Sequence, residues 1–246
     1  MKTLYGYAGR LASGKFFCMS QQVEHLKTTG NSLYLTSFAD PIKMILRNSF
    51  NLTKTGKITT GFSNIDKDYV RTEIVSAIGT LIKQCNHSKF DVSDKDILIY
   101  VQDVYSNCED EFHQYVVNAS MGKDYDYSFR RLGQLLGTEI GRTCLDSIWV
   151  DTAFKKVKTV FKNDLADYAF IEDCRFKNEQ LAFEKFKEET PFNAKIIGVY
   201  ASDETRAKRR NLSLEELKKQ DEHGSEKEID DIINSLDKKD VIINEN

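Results

Sequence analysis

Thr3-Leu4-Tyr5-Gly6-Tyr7-Ala8 and the run that follows it, Gly9-Arg10-Leu11-Ala12-Ser13-Gly14-Lys15, decide the fold. The first six residues suit a short strand, and a helix-length segment extends from Lys15 to Thr28. Between them, glycines bracket a loop of the pattern GxxxxGK. Glycine permits a tight backbone that can cradle an anion, and the lysine closing the loop reaches the outer phosphates of a nucleotide. Strand, loop and helix together also bring backbone N–H groups and the positive end of a helix onto one point. A glycine turn with an exposed lysine is the plain alternative, and the strand before it and the helix after it weigh against that. Phe16 stands where a Ser or Thr hydroxyl usually meets magnesium, and Phe17 is apolar too.

Outward from this loop, residues 32–38 predict a second strand and residues 39–49 a helix with Ile42, Ile45 and Leu46 on one face and Pro41 in its first turn. Residues 51–68 lack an apolar period and predict a loop. Helical spacing returns with Val70, Ile74, Ile78, Leu81 and Ile82, and again with Ile97, Tyr100, Val101 and Val104. Residues 51–126 therefore predict a helical insertion between two parts of a core, 1–50 and 127–246. A helix from Ser128 carries Leu132, Leu135, Leu136 and Ile140 on its apolar face, and a further helix is expected over 147–162. Short apolar runs at 168–172 and 194–200, each followed by a helical pattern, and a last one at Val241–Ile243 complete the alternation that builds a parallel sheet. The expected fold is α/β: a parallel sheet flanked by helices, its site at the carboxyl ends of the strands.

Composition narrows the function. The 246 residues are 40% hydrophobic and 30% charged with two prolines, an ordinary globular balance. A formal net charge of -3 leaves no general basic surface for polymeric DNA or RNA. Cys18, Cys85, Cys108, Cys144 and Cys174 are odd in number and form no CxxC pair, so they read as reduced thiols. Cys85 with His87 and Cys108 with His113 do not supply four ligands at a metal-binding spacing. The apolar run at 4–8 is too short for a secretory signal and no run has transmembrane length, so a reducing cytoplasm is the expected compartment and no membrane partner is expected.

Two more constellations carry chemistry. Glu172-Asp173-Cys174-Arg175-Phe176-Lys177-Asn178-Glu179 lies at the carboxyl end of a predicted strand. Asp173 there can orient a phosphate or hold a magnesium-bound water, and Arg175 offers a bidentate fork; a plain ion pair between them is the alternative. After the strand at 194–200, Arg206 and Arg210 are four residues apart on one helical face with Arg209 beside it, a pattern suited to a closing lid over 202–226 or to a solvated charged helix.

These residues, in order, resemble the phage-type deoxynucleoside monophosphate kinases of the P-loop nucleotide kinases. The resemblance rests on the GxxxxGK loop, Phe38-Ala39-Asp40-Pro41-Ile42-Lys43, the run from Arg130-Arg131-Leu132-Gly133-Gln134 to Gly137-Thr138-Glu139, Asp173-Cys174-Arg175 with Asn178-Glu179, and His223-Gly224-Ser225-Glu226. It touches most of the chain and is weakest over 51–126. The family usually has Asp then Thr after the loop lysine, where this chain has Phe16 and Phe17. The resemblance implies transfer of the ATP γ-phosphate to a deoxynucleoside monophosphate with Mg2+ as cofactor. Gly9, Arg10, Ala12, Ser13, Gly14, Lys15, Phe16, Phe17, Arg206 and Arg210 would then bind ATP. Lys43, Arg130, Arg131, Gln134, Gly137, Thr138, Trp149, Asp173, Arg175 and Glu179 would bind the monophosphate. Lys15, Arg130, Asp173 and Arg175 would be catalytic, and Asp173 would be the carboxylate for the metal. Trp149 can equally be a packing residue. The resemblance leaves a homodimer open and, for a phage-encoded chain, implies the cytoplasm of the infected host. A related small-molecule kinase, acting for example on dephospho-coenzyme A or phosphomevalonate, is the nearest alternative, and a nucleotide-binding sensor with impaired catalysis is the alternative outside enzymes.

Overall fold

The computed structural model describes residues 1–52, 66–85, 93–222, 226 and 228–245. The chain forms two compact units, one of residues 1–38 with 153–246, the other of residues 39–152.

The first unit is built on a parallel sheet of β1 (Thr3–Ala8), β2 (Leu33–Thr36), β3 (Tyr168–Cys174), β4 (Asn193–Tyr200) and β5 (Val241–Ile243), in the order β2-β3-β1-β4-β5. The fold class is thus the expected α/β one, with β1 at the centre. Its helices are α1 (Lys15–Thr28), most of α7 (Ile148–Lys162), α8 (Lys177–Glu189), α9 (Asp203–Arg210), α10 (Leu214–Asp221) and α11 (Ile229–Ser235). Near-continuous burial of β1 and β4 is what a strand covered on both faces requires. One buried cluster joins Tyr7, Met19, Val23, Phe170 and Val199. Aromatic packing gathers Phe154, Phe183, Phe186, Phe161 and Phe192, with Phe154 and Phe183 5.1 Å apart edge to face. Gly6 is what admits Phe183 against the strand, since a Cβ there would lie 2.4 Å from the ring. Each such buried ring contributes roughly 1.5–3 kcal/mol.

The second unit holds α2 (Asp40–Phe50), α3 (Lys67–Gln84), α4 (Asp94–Ser106), α5 (Glu109–Ser120), α6 (Tyr125–Gln134) and a π-helix, Leu135–Arg142, before the first turn of α7. Asp66 caps α3 by accepting the Tyr69 N–H, and Ser93 with Asp96 forms a capping box on α4. Val70, Ile74, Ile78, Val101 and Leu132 are fully buried, as their spacing predicts. The sequence places the insertion at 51–126, whereas the compact unit reaches from Ala39 to Thr152. The physical reason is packing: α2 meets α3 and α6, and α6 meets α5, so the flanking helices share the insertion's core. Much of the loop expected at 51–68, with His87 and His223-Gly224-Ser225, lies outside the described residues. The helix expected from Ser128 begins at Tyr125 and continues into the widened π turn.

Candidate functional site

Central β1 delivers the glycine-bracketed loop at its carboxyl end, with Ala8 in register with Cys174 of β3 and Gly198 of β4. Gly14 has φ 85° and caps α1 from the left-handed region; a Cβ there would also lie 2.1 Å from the Asn244 side-chain amide. Ala12 occupies the same region at φ 64°, a strained setting for an L-residue that the surroundings must hold. The first N–H groups of α1 have no intrahelical acceptor, so the start of the helix at Lys15 leaves donors at the loop.

The loop's carbonyls are turned outward onto named donors. Arg206 Nε donates to Leu11 O at 2.9 Å, Arg209 Nη1 to Ala12 O at 2.9 Å, and Asn244 Nδ2 to Ser13 O at 2.9 Å. Asn244 is fixed in turn by its N–H to Tyr200 O at 2.8 Å and by Arg209 Nη2 on its own carbonyl at 3.1 Å. Arg10 points away, donating to Asp221 at 2.6 Å and to Asp230 at 2.7 Å, which raises the pKa of its guanidinium. Asp221 also receives Arg206, whose side chain is 1% exposed and which reaches Asp203 as well. Arg206, expected as a lid arginine over ATP, is therefore a buried tie between α9, α10 and the loop. Arg210 on the same helix is exposed.

Lys15 Nζ lies 3.2 Å from Gly9 O and 3.2 Å from Asp173 Oδ1 at the end of β3. Asp173 also accepts Arg175 Nε at 2.6 Å. Burial alone would raise the Asp173 carboxyl; the charges of Lys15 and Arg175 overcome it and hold the group below its ordinary value. The same pairing raises Arg175 against the opposing effect of burial. Glu226 Oε1 accepts Arg175 Nη1 at 3.0 Å, and its Oε2 accepts the Leu11 N–H at 3.0 Å. Glu179, expected on the monophosphate, is 2% exposed and accepts the peptide N–H groups of Arg175 and Phe176 at 2.7 and 3.1 Å. Its carboxylate caps α8 and thereby shapes the turn that carries Arg175. Phe16 and Phe17 are 66% and 58% exposed on the first turn of α1.

In the second unit, Arg130 is exposed, Arg131 Nε donates to Glu111 at 2.8 Å, and Gln134 accepts a long bond from Arg131 Nη1 at 3.4 Å. Thr138 is exposed on the π-helix, and Lys43 lies 3.6 Å from Asp40. Trp149 is 2% exposed, with Nε1 donating to Gly137 O at 2.8 Å and its ring where a Cβ on Gly141 would lie 2.2 Å from Cζ2. Of its two expected roles this geometry gives it the packing one, because a ring enclosed in that way presents no face to a base. Gly137 is likewise buried, its carbonyl accepting the Trp149 Nε1–H, rather than an open contact.

Loop, Lys15, Asp173 and Arg175 are thus brought together within the first unit. Asp221, Asp230 and Asn244 belong to the same network without any signal in the sequence, since their partners lie 211, 220 and 231 residues away. Among the described residues no group of three or more His, Cys, Asp and Glu is arranged as a metal site. Nor is any helix among them long and apolar enough to cross a membrane. Comparison with protein-family models and with curated proteins finds no match.

Proposed function

We propose that this protein is a deoxynucleoside monophosphate kinase that transfers the γ-phosphate of ATP, with Mg2+ as cofactor. The observation that carries the reading is the lysine of a strand-loop-helix anion cradle ion-paired, at 3.2 Å, to a carboxylate at the end of the neighbouring parallel strand. Lys15 is the cation for the outer phosphates, and its pairing with Asp173 keeps it oriented toward the loop before nucleotide arrives. Arg175, held by Asp173, supplies a fork for a phosphate oxygen. The acceptor's phosphate falls to Arg130, Arg131, Gln134 and Thr138 by resemblance alone. No protein nucleophile is needed, because a nucleoside monophosphate brings an ionised oxygen; orientation and charge stabilisation carry the acceleration.

The residues present suit magnesium, which commonly keeps several waters and needs one or two carboxylates. Asp173 would hold it through a water or directly, and the bound ion would neutralise charge on the phosphates. The isolated thiols go with a reducing cytoplasm as the compartment, and the net charge of -3 with no polymeric nucleic acid as a partner. Incubating the purified protein with ATP, Mg2+ and each common deoxynucleoside monophosphate, then separating the products, tests the proposal: ADP and a deoxynucleoside diphosphate should appear together, and ADP formation independent of the monophosphate would refute it.

Phe16, exposed where a hydroxyl usually sits, favours a second reading, a nucleotide-binding sensor that does not transfer phosphate. Phe16→Asp and Phe17→Thr separate the two. In a kinase these changes lower the magnesium concentration needed for half-maximal rate; in a sensor the native protein is inert at every magnesium concentration.

A further inference from the structure

Glu226 is 5% exposed, and its carboxylate is shared by two donors of different origin: the peptide N–H of Leu11, inside the loop, and the Nη1 of Arg175, each at 3.0 Å. Loop N–H groups and arginine forks are what proteins use to hold phosphate oxygens. The carboxylate therefore occupies the kind of position an anion takes.

The other side chains that touch the loop behave differently. Arg206, Arg209 and Asn244 all donate to carbonyls, of Leu11, Ala12 and Ser13. A phosphate has no use for those carbonyls, so these contacts shape the loop and compete with nothing. Glu226 instead consumes an N–H, and through Arg175 it belongs to a run of alternating charge. Arg175 meets Asp173 at 2.6 Å, and Asp173 meets Lys15 at 3.2 Å. Lys15 and Arg175 each pair with Asp173, and Arg175 pairs with Glu226 as well. A polyphosphate thus meets cations already engaged by carboxylates, in a partly buried setting that limits screening by salt.

We propose, resting on the nucleotide-binding reading above, that Glu226 is an internal competitor for the polyphosphate. Its carboxylate stands in for a phosphate oxygen on the Leu11 N–H and Arg175, and nucleotide binding replaces that contact. Glu226 thereby sets the affinity of the loop and keeps its donors satisfied when no nucleotide is bound.

A tie that merely positions Arg175 predicts the opposite response to mutation, which makes the idea testable. Glu226→Gln retains the shape and an oxygen for the Leu11 N–H but removes the charge. By calorimetric titration it should bind ATP, ADP and inorganic tripolyphosphate roughly tenfold more tightly than the native protein, the gain expected from one charge-assisted contact. A gain shared by tripolyphosphate places the effect on the phosphates and not on the base. Should the Gln variant fail to fold, Glu226→Asp keeps the charge but is one methylene too short to reach both donors, and a smaller gain is expected. Unchanged or weaker binding in the folded variants, with the native protein binding ATP normally, overturns the competitor and leaves the nucleotide reading standing. Absence of ATP binding by native and variant proteins alike overturns both.

Discussion

The loop at Gly9 to Lys15 and the arginine-bearing helix α6 with its π-helical continuation carry signals of the same kind, glycines beside cations, yet the two units use them differently. In the first, side chains from α9, Glu226 and the segment after β5 converge on backbone atoms of Leu11, Ala12 and Ser13. In the second, Gly141 receives a tryptophan ring, Arg131 is paired to Glu111, and Arg130 and Thr138 face solvent. A role carried by the main chain depends on local conformation, and local sequence specifies that conformation. A role carried by side chains depends on partners that only the tertiary fold supplies.

The sharpest way to break this contrast is Trp149→Ala. A buried indole wedged against Gly141 and bonded to Gly137 should cost about 3–5 kcal/mol of stability when truncated, read by denaturant unfolding. A loss under about 1 kcal/mol would return Trp149 to the role of an open stacking platform. Next comes Arg206→Ala, which leaves Asp221 with Arg10 as its remaining arginine and frees the Leu11 carbonyl. Breaking a buried pair from one side predicts a loss of about 3 kcal/mol, with ATP affinity falling as the loop loosens. If only nucleotide affinity falls, and stability does not, Arg206 is a lid residue after all.

Arg131→Ala should change stability by less than about 1 kcal/mol, because its pair with Glu111 is partly exposed. Its expected effect is on the acceptor: KM for the monophosphate should rise about tenfold with KM for ATP unchanged. Equal changes for both substrates would count against an acceptor role.

The smallest effect is on acid stability. Asp173 and Asp221 are partly buried groups whose pairing with cations outweighs desolvation and lowers their pKa on folding. Their contribution is present above the ordinary carboxylate value and is lost as pH falls through the lower folded value. Arg206→Ala removes part of that depression, so its Tm should fall less steeply than that of the native protein between about pH 4 and pH 2.

The fold is legible because its signals are local: the run at 3–15 specifies strand, loop and helix, and the apolar runs at 168–172 and 194–200 specify neighbours of that strand in a parallel sheet. Lys15, Asp173 and Arg175 are legible for the same reason, lying at ends of strands that a parallel sheet must bring together. Glu179 and Trp149 are harder, because a carboxylate that caps a helix and an indole that fills a glycine groove have the same sequence appearance as ligands of a phosphate and a base. Asn244, Asp221 and Asp230 are not legible at all; each acts on the loop across more than two hundred residues. The extent of the helical unit also escapes the sequence, since α2 and α6 have ordinary amphipathic patterns that do not say which core they join.

The central claim is that the loop lysine serves phosphoryl transfer. It is tested most directly by following label from γ-labelled ATP in the presence of Mg2+ and the deoxynucleoside monophosphates, with the native protein beside Lys15→Ala. The account predicts labelled deoxynucleoside diphosphate from the native protein and at least a thousandfold slower transfer from the variant, with unchanged circular dichroism, as expected for loss of a charge that acts on the transferred group. Equal transfer by both proteins, or label released by the native protein only as inorganic phosphate, would contradict it.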